Sequence, residues 1–390
     1  MKLKTKQIAK LVFLFIVFNE IVDVVVHPIK EAIKRSLSID LGNGNCKWTI
    51  SEDANQTNTL FSTLIAAYPG SGKRIAYMQL EGLTGLKTGD DFYLAEGRSA
   101  EAKKYAFMKS SYPQHEGIWS WGNRMHQSIL IVRNPRHAIV SYHNILSEIN
   151  YAHTWQEAYE HKDEVYTRRP SLEQWIIWRD ERCLEEIYWY GWFIDYWMEG
   201  GLLRDIYSHN LTTVSHFETQ IIPHAYKMQD ILAMQSAIPL DIEPNYDYHC
   251  GIGKDMEDCK PVAIVSFEKL LNVDTGPTEA SKFAKAVEGK PGINVIAEQA
   301  RACIWEELVI RGKGIRTMKN RDGNGPSHDT FAFTVDQFQV MLQELRRLTE
   351  KYSSNGWIGN EVAEDLVGNL NIYIDEIQAE MNALLEVQRR

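Results

Sequence analysis

An apolar run, "TLFSTLIAAY", ends abruptly in "PGSGKR", and a segment of helical period follows at once. Short apolar runs bounded by Pro and Gly read as buried strands feeding tight turns, so the local order is strand, glycine turn, helix. That order restricts the architecture, because a fully apolar strand suits a parallel sheet covered on both faces by its crossover helices. It also builds a candidate site. Backbone N–H groups of a Gly-rich turn at a helix start converge on an anion, which marks Gly70, Ser71 and Gly72, with the cations Lys73 and Arg74 beside them.

The remaining chain repeats the alternation. The helix after the turn is expected over Lys73 to Leu83, and "QSILIVRN" (Gln127 to Asn134) reads as a second strand. The segment after Pro135 has helical spacing with proline near its start, where the missing N–H costs nothing. "LTTVSHF" and "PVAIVSF" are further short β-rich runs. The Trp-rich stretch "SLEQWIIWRDERCLEEIYWYGWFIDYWMEGG" predicts one or two packed helices whose rings are mostly core. Helices then dominate, in "EASKFAKAVEG", "VIAEQARACIWEELV", "VDQFQVMLQELRRLTEKY" and a polar C-terminal helix from about Glu361 to Val387. With 390 residues and 44% hydrophobic content, the chain can bury one large α/β core plus extensions.

A net charge of -10 argues against a general nucleic-acid binder, so an anionic ligand must meet a local basic cluster. Lys2, Lys4, Lys6 and Lys10 precede an apolar run from Leu11 to Phe18, a pattern shared by signal peptides and signal anchors. Asn19, Glu20 and Asp23 interrupt it, and an amphipathic or buried helix is the alternative. The sequons Asn55-Gln56-Thr57 and Asn210-Leu211-Thr212 suit a lumenal domain. Cys250 and Cys259 flank a polar insert that a disulfide could close, whereas Cys46, Cys183 and Cys303 read as unpaired. No cysteine spacing signals zinc.

The spelling of the glycine turn narrows its chemistry. A Walker A loop places glycine where Ala67 stands and a magnesium-binding Ser/Thr where Arg74 stands, so only Lys73 fits. A magnesium-dependent nucleotide hydrolase is disfavoured, and no metal is expected. A sulfuryl donor needs no metal, because N–H groups and cations can hold its equatorial oxygens directly.

At this loop the sequence resembles the sulfotransferase family that uses 3′-phosphoadenosine 5′-phosphosulfate (PAPS). The family loop is usually "PKSGTTW", or "PGSGNTW" in a branch that includes WSC-domain-containing sulfotransferases; here it is "PGSGKRI". "LEGLTGLKTG" is similar to that branch's "IEQATGIYTG". "RNPRHAIVSYHNI" resembles the family's "RNPKDVAVSYYHF", which implies that Arg133 and Ser141 bind the 3′-phosphate; two turns of helix bring both to one ligand. "VSFEKLLNVD" is similar to "YEDLKKDP" and puts Phe267 near adenine. "RGKGIRTMKNRDGNGPSHDTFAFT" is similar to "RKGxxGDWKNHFT", implying that Arg311, Lys313 and Gly314 close over the 3′-phosphate, with Arg316 and Lys319 extending the basic cluster.

The four motifs occur in family order from Thr59 to about Tyr352. The resemblance implies a P-loop-NTPase-like three-layer sandwich, with a central parallel sheet, helices on both faces and a helical C-terminal extension. The expected organisation is an N-terminal signal or signal-anchor segment over 1–35, a stem over 36–58, the sulfotransferase-like domain over 59–358 and the C-terminal extension over 359–390. Type II insertion in the Golgi membrane with a lumenal catalytic domain follows, secreted and cytoplasmic forms being the alternatives.

Two departures bear on catalysis. The family's "KTHxP", whose His is the general base in many members, is "KSSYP" here, with Ser111 at the His position. Serine is no base at neutral pH, so His115, just beyond Pro113, is the preferred substitute, with Asp90, Asp91 and Glu96 as carboxylate alternatives. Gly70 replaces the loop Lys that bridges the leaving oxygen in many members, a role that passes to Lys73. The expected activity is sulfuryl transfer from PAPS to a hydroxyl of a carbohydrate or other acceptor. "DDFYLAEGRSAEAKKY", "SSYPQHEGIW" and the Trp175 to Trp197 region would form the acceptor surface. A catalytically silent PAPS-binding protein and a nucleotide-dependent kinase are the alternatives.

Overall fold

A computed structural model of the protein describes residues 39–40, 47–48, 51–52, 61–90, 105–111, 126–152, 170–198, 260–311, 331–354 and 356–389. Two short strands, β1 (Ile39–Asp40) and β2 (Lys47–Trp48), pair antiparallel. The main strands are β3 (Thr63–Ala67), β4 (Thr88–Asp90), β5 (Phe107–Ser110), β6 (Gln127–Val132) and β7 (Pro261–Ser266). They form one all-parallel sheet in the order β4-β5-β3-β6-β7. The helices are α1 (Lys73–Thr84), α2 (Pro135–Ala152), α3 (Leu172–Met198), α4 (Phe267–Leu271), α5 (Gly276–Val287) and α6 (Glu298–Trp305). A π-helical turn, Glu306–Ile310, continues α6, and α7 (Val335–Tyr352) and α8 (Glu361–Arg389) complete the chain.

Strand residues alternate between faces, and both faces are covered, which is why β3 and β6 are buried at every position. Leu64, Ala66, Leu130, Val132 and Ile264 enter one core with α2, α3, α7 and α8. Ile65, Ala67, Ile129, Ile131 and Val265 enter the other with α1, α5 and α6. The class is therefore α/β with helices on both sides of a parallel sheet, as the sequence predicts.

Helix ends follow local chemistry. Gly72 and Gly85 adopt positive φ, 86° and 68°, at the two ends of α1. Thr334 and Gln337 form a reciprocal capping box that starts α7. On α8 the buried residues Leu366, Leu370, Tyr373 and Ile377 recur at helical spacing and enter the core beneath α7. The helix read as a C-terminal extension thus shares the main hydrophobic core.

The Trp-rich stretch is a single 27-residue helix. Trp175, Trp189, Trp192 and Trp197 are all buried in the core, which removes these rings from the expected acceptor surface. The Asp195 carboxylate of α3, fully buried, accepts from Arg347 at 2.7 Å, Lys351 at 2.9 Å and the Tyr352 hydroxyl at 2.6 Å. Such a charge is tolerated in an interior only when paired this completely, and the network locks α3 to α7.

Strands β4 and β5 are not signalled in the sequence, being three and four residues long with mixed polarity. Cys303 is disulfide-bonded, contrary to its reading as unpaired, and its partner lies outside the described residues, as do Cys250 and Cys259. Cys183 is free and buried. The N-terminal segment, both sequons and "LTTVSHF" also lie outside the described residues. Among the described residues no helix is long and apolar enough to cross a membrane.

His143 on α2 sits among Trp175, Trp178 and Phe331, with ring centroids 4.9–6.4 Å away, and burial lowers its pKa to about 4. The unfolded chain takes up the proton near the ordinary value of about 6.5, so stability is lost as pH falls from there toward 4. Denaturant titrations at pH 7 and pH 4.5 should show His143→Phe losing about 2 kcal/mol less than wild type, after allowance for solvent screening.

Candidate functional site

The connections out of β3 and β6 diverge: α1 leads from β3 toward β4 and β5, whereas β6 leads onward to β7 on the opposite side. A crevice opens at the carboxyl ends of neighbouring strands where connections separate in this way, and such crevices hold ligands in open α/β sheets. The residues that leave these strands are the glycine turn after β3, Ser111 after β5, Arg133 after β6 and Phe267 after β7. Four segments distant in sequence therefore emerge at the carboxyl edge of the sheet, three of them resemblance motifs and the fourth the Ser111 segment.

The turn itself is shaped by glycine. Gly70 has φ of 83°, and a Cβ there would lie 2.6 Å from the Ala138 carbonyl oxygen and 2.8 Å from Ser141 Cβ. Only glycine lets the turn lie this close to the first turns of α2. A Cβ on Gly72 would strike the Phe267 ring. Ser71 between them is buried, and its Oγ has no hydrogen-bond partner. A buried hydroxyl without a partner costs free energy unless a ligand satisfies it.

Arg133 is 8% exposed and reaches back to this turn: Nη1 donates to the Gly70 carbonyl at 2.5 Å, and the guanidinium lies 4.4 Å over the Phe267 ring. Its own carbonyl accepts from the Tyr190 hydroxyl of α3 at 2.8 Å. Phe267 is thus a buried platform under both Gly72 and Arg133. Lys73 opens α1, and its ammonium donates to Ser111 Oγ. The position that lacks an imidazole holds instead a hydroxyl bonded to the loop cation. Arg74 is exposed on the first turn of α1.

Supports stand behind the turn. The Tyr68 hydroxyl donates to Glu186 Oε2 of α3 at 2.5 Å, and its ring meets Tyr142, Tyr190 and Phe193 edge-on. Burial, followed by the neighbouring Glu186 charge, pushes the Tyr68 hydroxyl well above its ordinary pKa, so it stays a donor. Glu268 accepts the Asn134 backbone N–H at 2.9 Å and the Tyr373 hydroxyl at 2.9 Å. Burial raises its pKa; the Asn134 N–H, the Arg133 charge and the Tyr373 hydroxyl oppose that rise.

Gly70, Ser71, Gly72, Lys73, Arg133, Ser141 and Phe267 are thus brought together. Arg311 ends the π turn and is half exposed, with Nη1 3.1 Å from Glu307 Oε2 and Nη2 3.9 Å from Glu306. Its backbone N–H also donates to the Glu306 carbonyl at 3.0 Å. Lys313, Gly314, Arg316, Lys319, His115, Asp91 and Glu96 lie outside the described residues. Asp90 ends β4 at the same carboxyl edge, its backbone in register with Lys109. Among the described residues no cluster of three His, Cys, Asp or Glu could hold a metal ion.

Sequence reasoning missed Asn134, Glu186, Glu268 and Tyr373. Only Asn134 carried a signal: Asn before Pro favours a side-chain cap, and its Oδ1 indeed accepts the Arg136 N–H at 3.0 Å. Glu186 and Tyr68 are 118 residues apart, beyond any local pattern.

Set against protein-family models, curated proteins and solved structures, the chain matches none of them.

The cradle separates two kinds of substitution. Gly72→Ala should destabilise the fold by about 1–3 kcal/mol, through positive φ and collision with Phe267. Ser71→Ala should leave stability unchanged or raise it by up to ~1 kcal/mol, because the hydroxyl it removes has no partner. Chemical denaturation of both variants checks this.

Proposed function

We propose that the protein is a PAPS-dependent sulfotransferase of P-loop-like fold. The observation that carries this reading is the convergence of a glycine turn, its unsatisfied Ser71 hydroxyl, Lys73 and the Arg133 guanidinium at one end of the sheet. The order β4-β5-β3-β6-β7, with the turn after the central strand, supports the P-loop-like assignment.

In the proposed reaction an acceptor hydroxyl oxygen attacks the sulfur of the donor. The bond from sulfur to the bridging phosphate oxygen breaks, and adenosine 3′,5′-bisphosphate leaves with that electron pair. The turn amides and Lys73 stabilise charge on the sulfuryl and bridging oxygens, and Arg74 adds positive potential from the exposed side of α1. Arg133 and Ser141 position the 3′-phosphate, with Arg311, Lys313 and Gly314 as the covering segment. The acceptor proton goes to a base, His115 or a carboxylate such as Asp90. No metal is required, since Arg74 stands where a magnesium-binding hydroxyl would be.

A hydroxyl-bearing acceptor such as a carbohydrate and a lumenal, type II membrane location are parts of the same proposal. The disulfide at Cys303 supports an oxidising compartment.

The Lys73 to Ser111 bond favours a second reading, a donor-binding protein without turnover, because no imidazole stands at that position. Binding and transfer measured together separate the two. Tight binding of adenosine 3′,5′-bisphosphate with sulfated product supports the enzyme; binding without product across a glycan panel supports the silent form. A preference for ATP with magnesium would overturn both.

Arg133→Ala should weaken bisphosphate binding by roughly 2–4 kcal/mol, read by titration calorimetry. Lys73→Ala should lower turnover more than donor affinity if its contact strengthens in the transition state, as steady-state kinetics would show.

A further inference from the structure

Arg133 is one of two arginines in "RNPR", and the turn that carries both is gripped from outside by the C-terminal helix. Tyr373, Glu376 and Glu380 of α8 lie three and four residues apart, on one helix face. Glu376 Oε2 accepts from Asn134 Nδ2 at 2.8 Å. Glu380 accepts from Arg136 Nε at 2.8 Å and 3.1 Å through its two oxygens. Tyr373 acts one step back: its hydroxyl donates to Glu268 Oε2, and Glu268 Oε1 takes the Asn134 backbone N–H.

Asn134 is consequently held at three atoms, since its Oδ1 also caps α2. The residue before it in the chain is Arg133, and the residue two after it is Arg136. Arg136 is drawn to Glu380 and lies 5.5 Å from the Phe333 ring, whereas Arg133 turns back to Gly70. The two guanidiniums leave the same turn for different partners, Arg136 for Glu380 on α8 and Arg133 for the glycine turn. Apolar burial by Leu366, Leu370 and Ile377 already docks α8, so its polar contacts to this turn fix register and side-chain choice in addition to stability.

We propose that α8 is a positioning element for the anion site. Glu376 directly, and Tyr373 through Glu268, hold Asn134 so that the Arg133 guanidinium stays on the glycine turn, while Glu380 keeps Arg136 away from it. The proposal rests on the reading of Arg133 as a ligand of the donor's 3′-phosphate.

The test uses the full chain and adenosine 3′,5′-bisphosphate as probe, with calorimetric affinity and thermal midpoint measured together. Glu376 is exposed, so Glu376→Ala keeps the fold; it should weaken the bisphosphate by roughly 5- to 20-fold. Glu376→Gln, whose amide oxygen can still accept from Asn134, should restore most of that affinity. Gln378→Ala, which removes a 3.0 Å contact with Arg346 on α7 and touches nothing in the turn, should bind as wild type does. Adding Arg133→Ala to Glu376→Ala should cost less than Arg133→Ala costs alone, because both act on one interaction. Wild-type affinity in Glu376→Ala, or full additivity with Arg133→Ala, would overturn the inference. Failure of the wild-type protein to bind the bisphosphate would instead remove the donor reading on which it rests.

Discussion

The parallel pairing of β3 with β6 places the glycine turn beside Arg133, and the rest of the site is arranged around that adjacency. Ala67 is in register with Ile131, so the two strands reach the carboxyl edge almost level, and the residues after them emerge side by side. One hydrogen bond, from the Arg133 guanidinium to the Gly70 carbonyl, then links loops 63 residues apart in sequence. Glycine at 70 is what lets α2 come close enough for that bond, because a side chain there would meet the Ala138 carbonyl.

Behind this edge, buried polar groups do what an apolar core cannot. Hydrophobic burial is non-directional and would accept many rotations of α3 and α8. The Tyr68 to Glu186 bond aims the strand end against α3, and the Asp195 cluster fixes α3 against α7. Glu268 and Tyr373 connect α8 to the backbone beside Arg133. Each of these groups would be costly if left unpartnered, so the arrangement that satisfies all of them is strongly selected over near alternatives.

Long apolar or strongly periodic segments were legible from the chain alone. β3, β6, β7, α1, α2 and α7 fall where their patterns place them, because burial on both sheet faces or on one helical face leaves a direct imprint on composition. β4 and β5 escaped notice: three or four residues such as "TGD" and "FMKS" carry no period. The site divides in the same way. Gly70, Ser71, Gly72, Lys73, Arg133 and Ser141 stood out through local spacing and family resemblance, whereas Glu186 and Glu268 have neighbours that only folding supplies.

By itself the sequence determined an alternation of strands and helices and a glycine turn able to cradle an anion, since both follow from local sterics and hydrophobic period. Which cation meets that turn, that Lys73 bonds to Ser111, that the Trp-rich helix is interior, and that the last helix reaches the Arg133 loop were decided only by tertiary structure. The reason is physical: a contact between residues far apart in the chain depends on strand order and helix register, and those are set by the packing of the whole core rather than by any one segment.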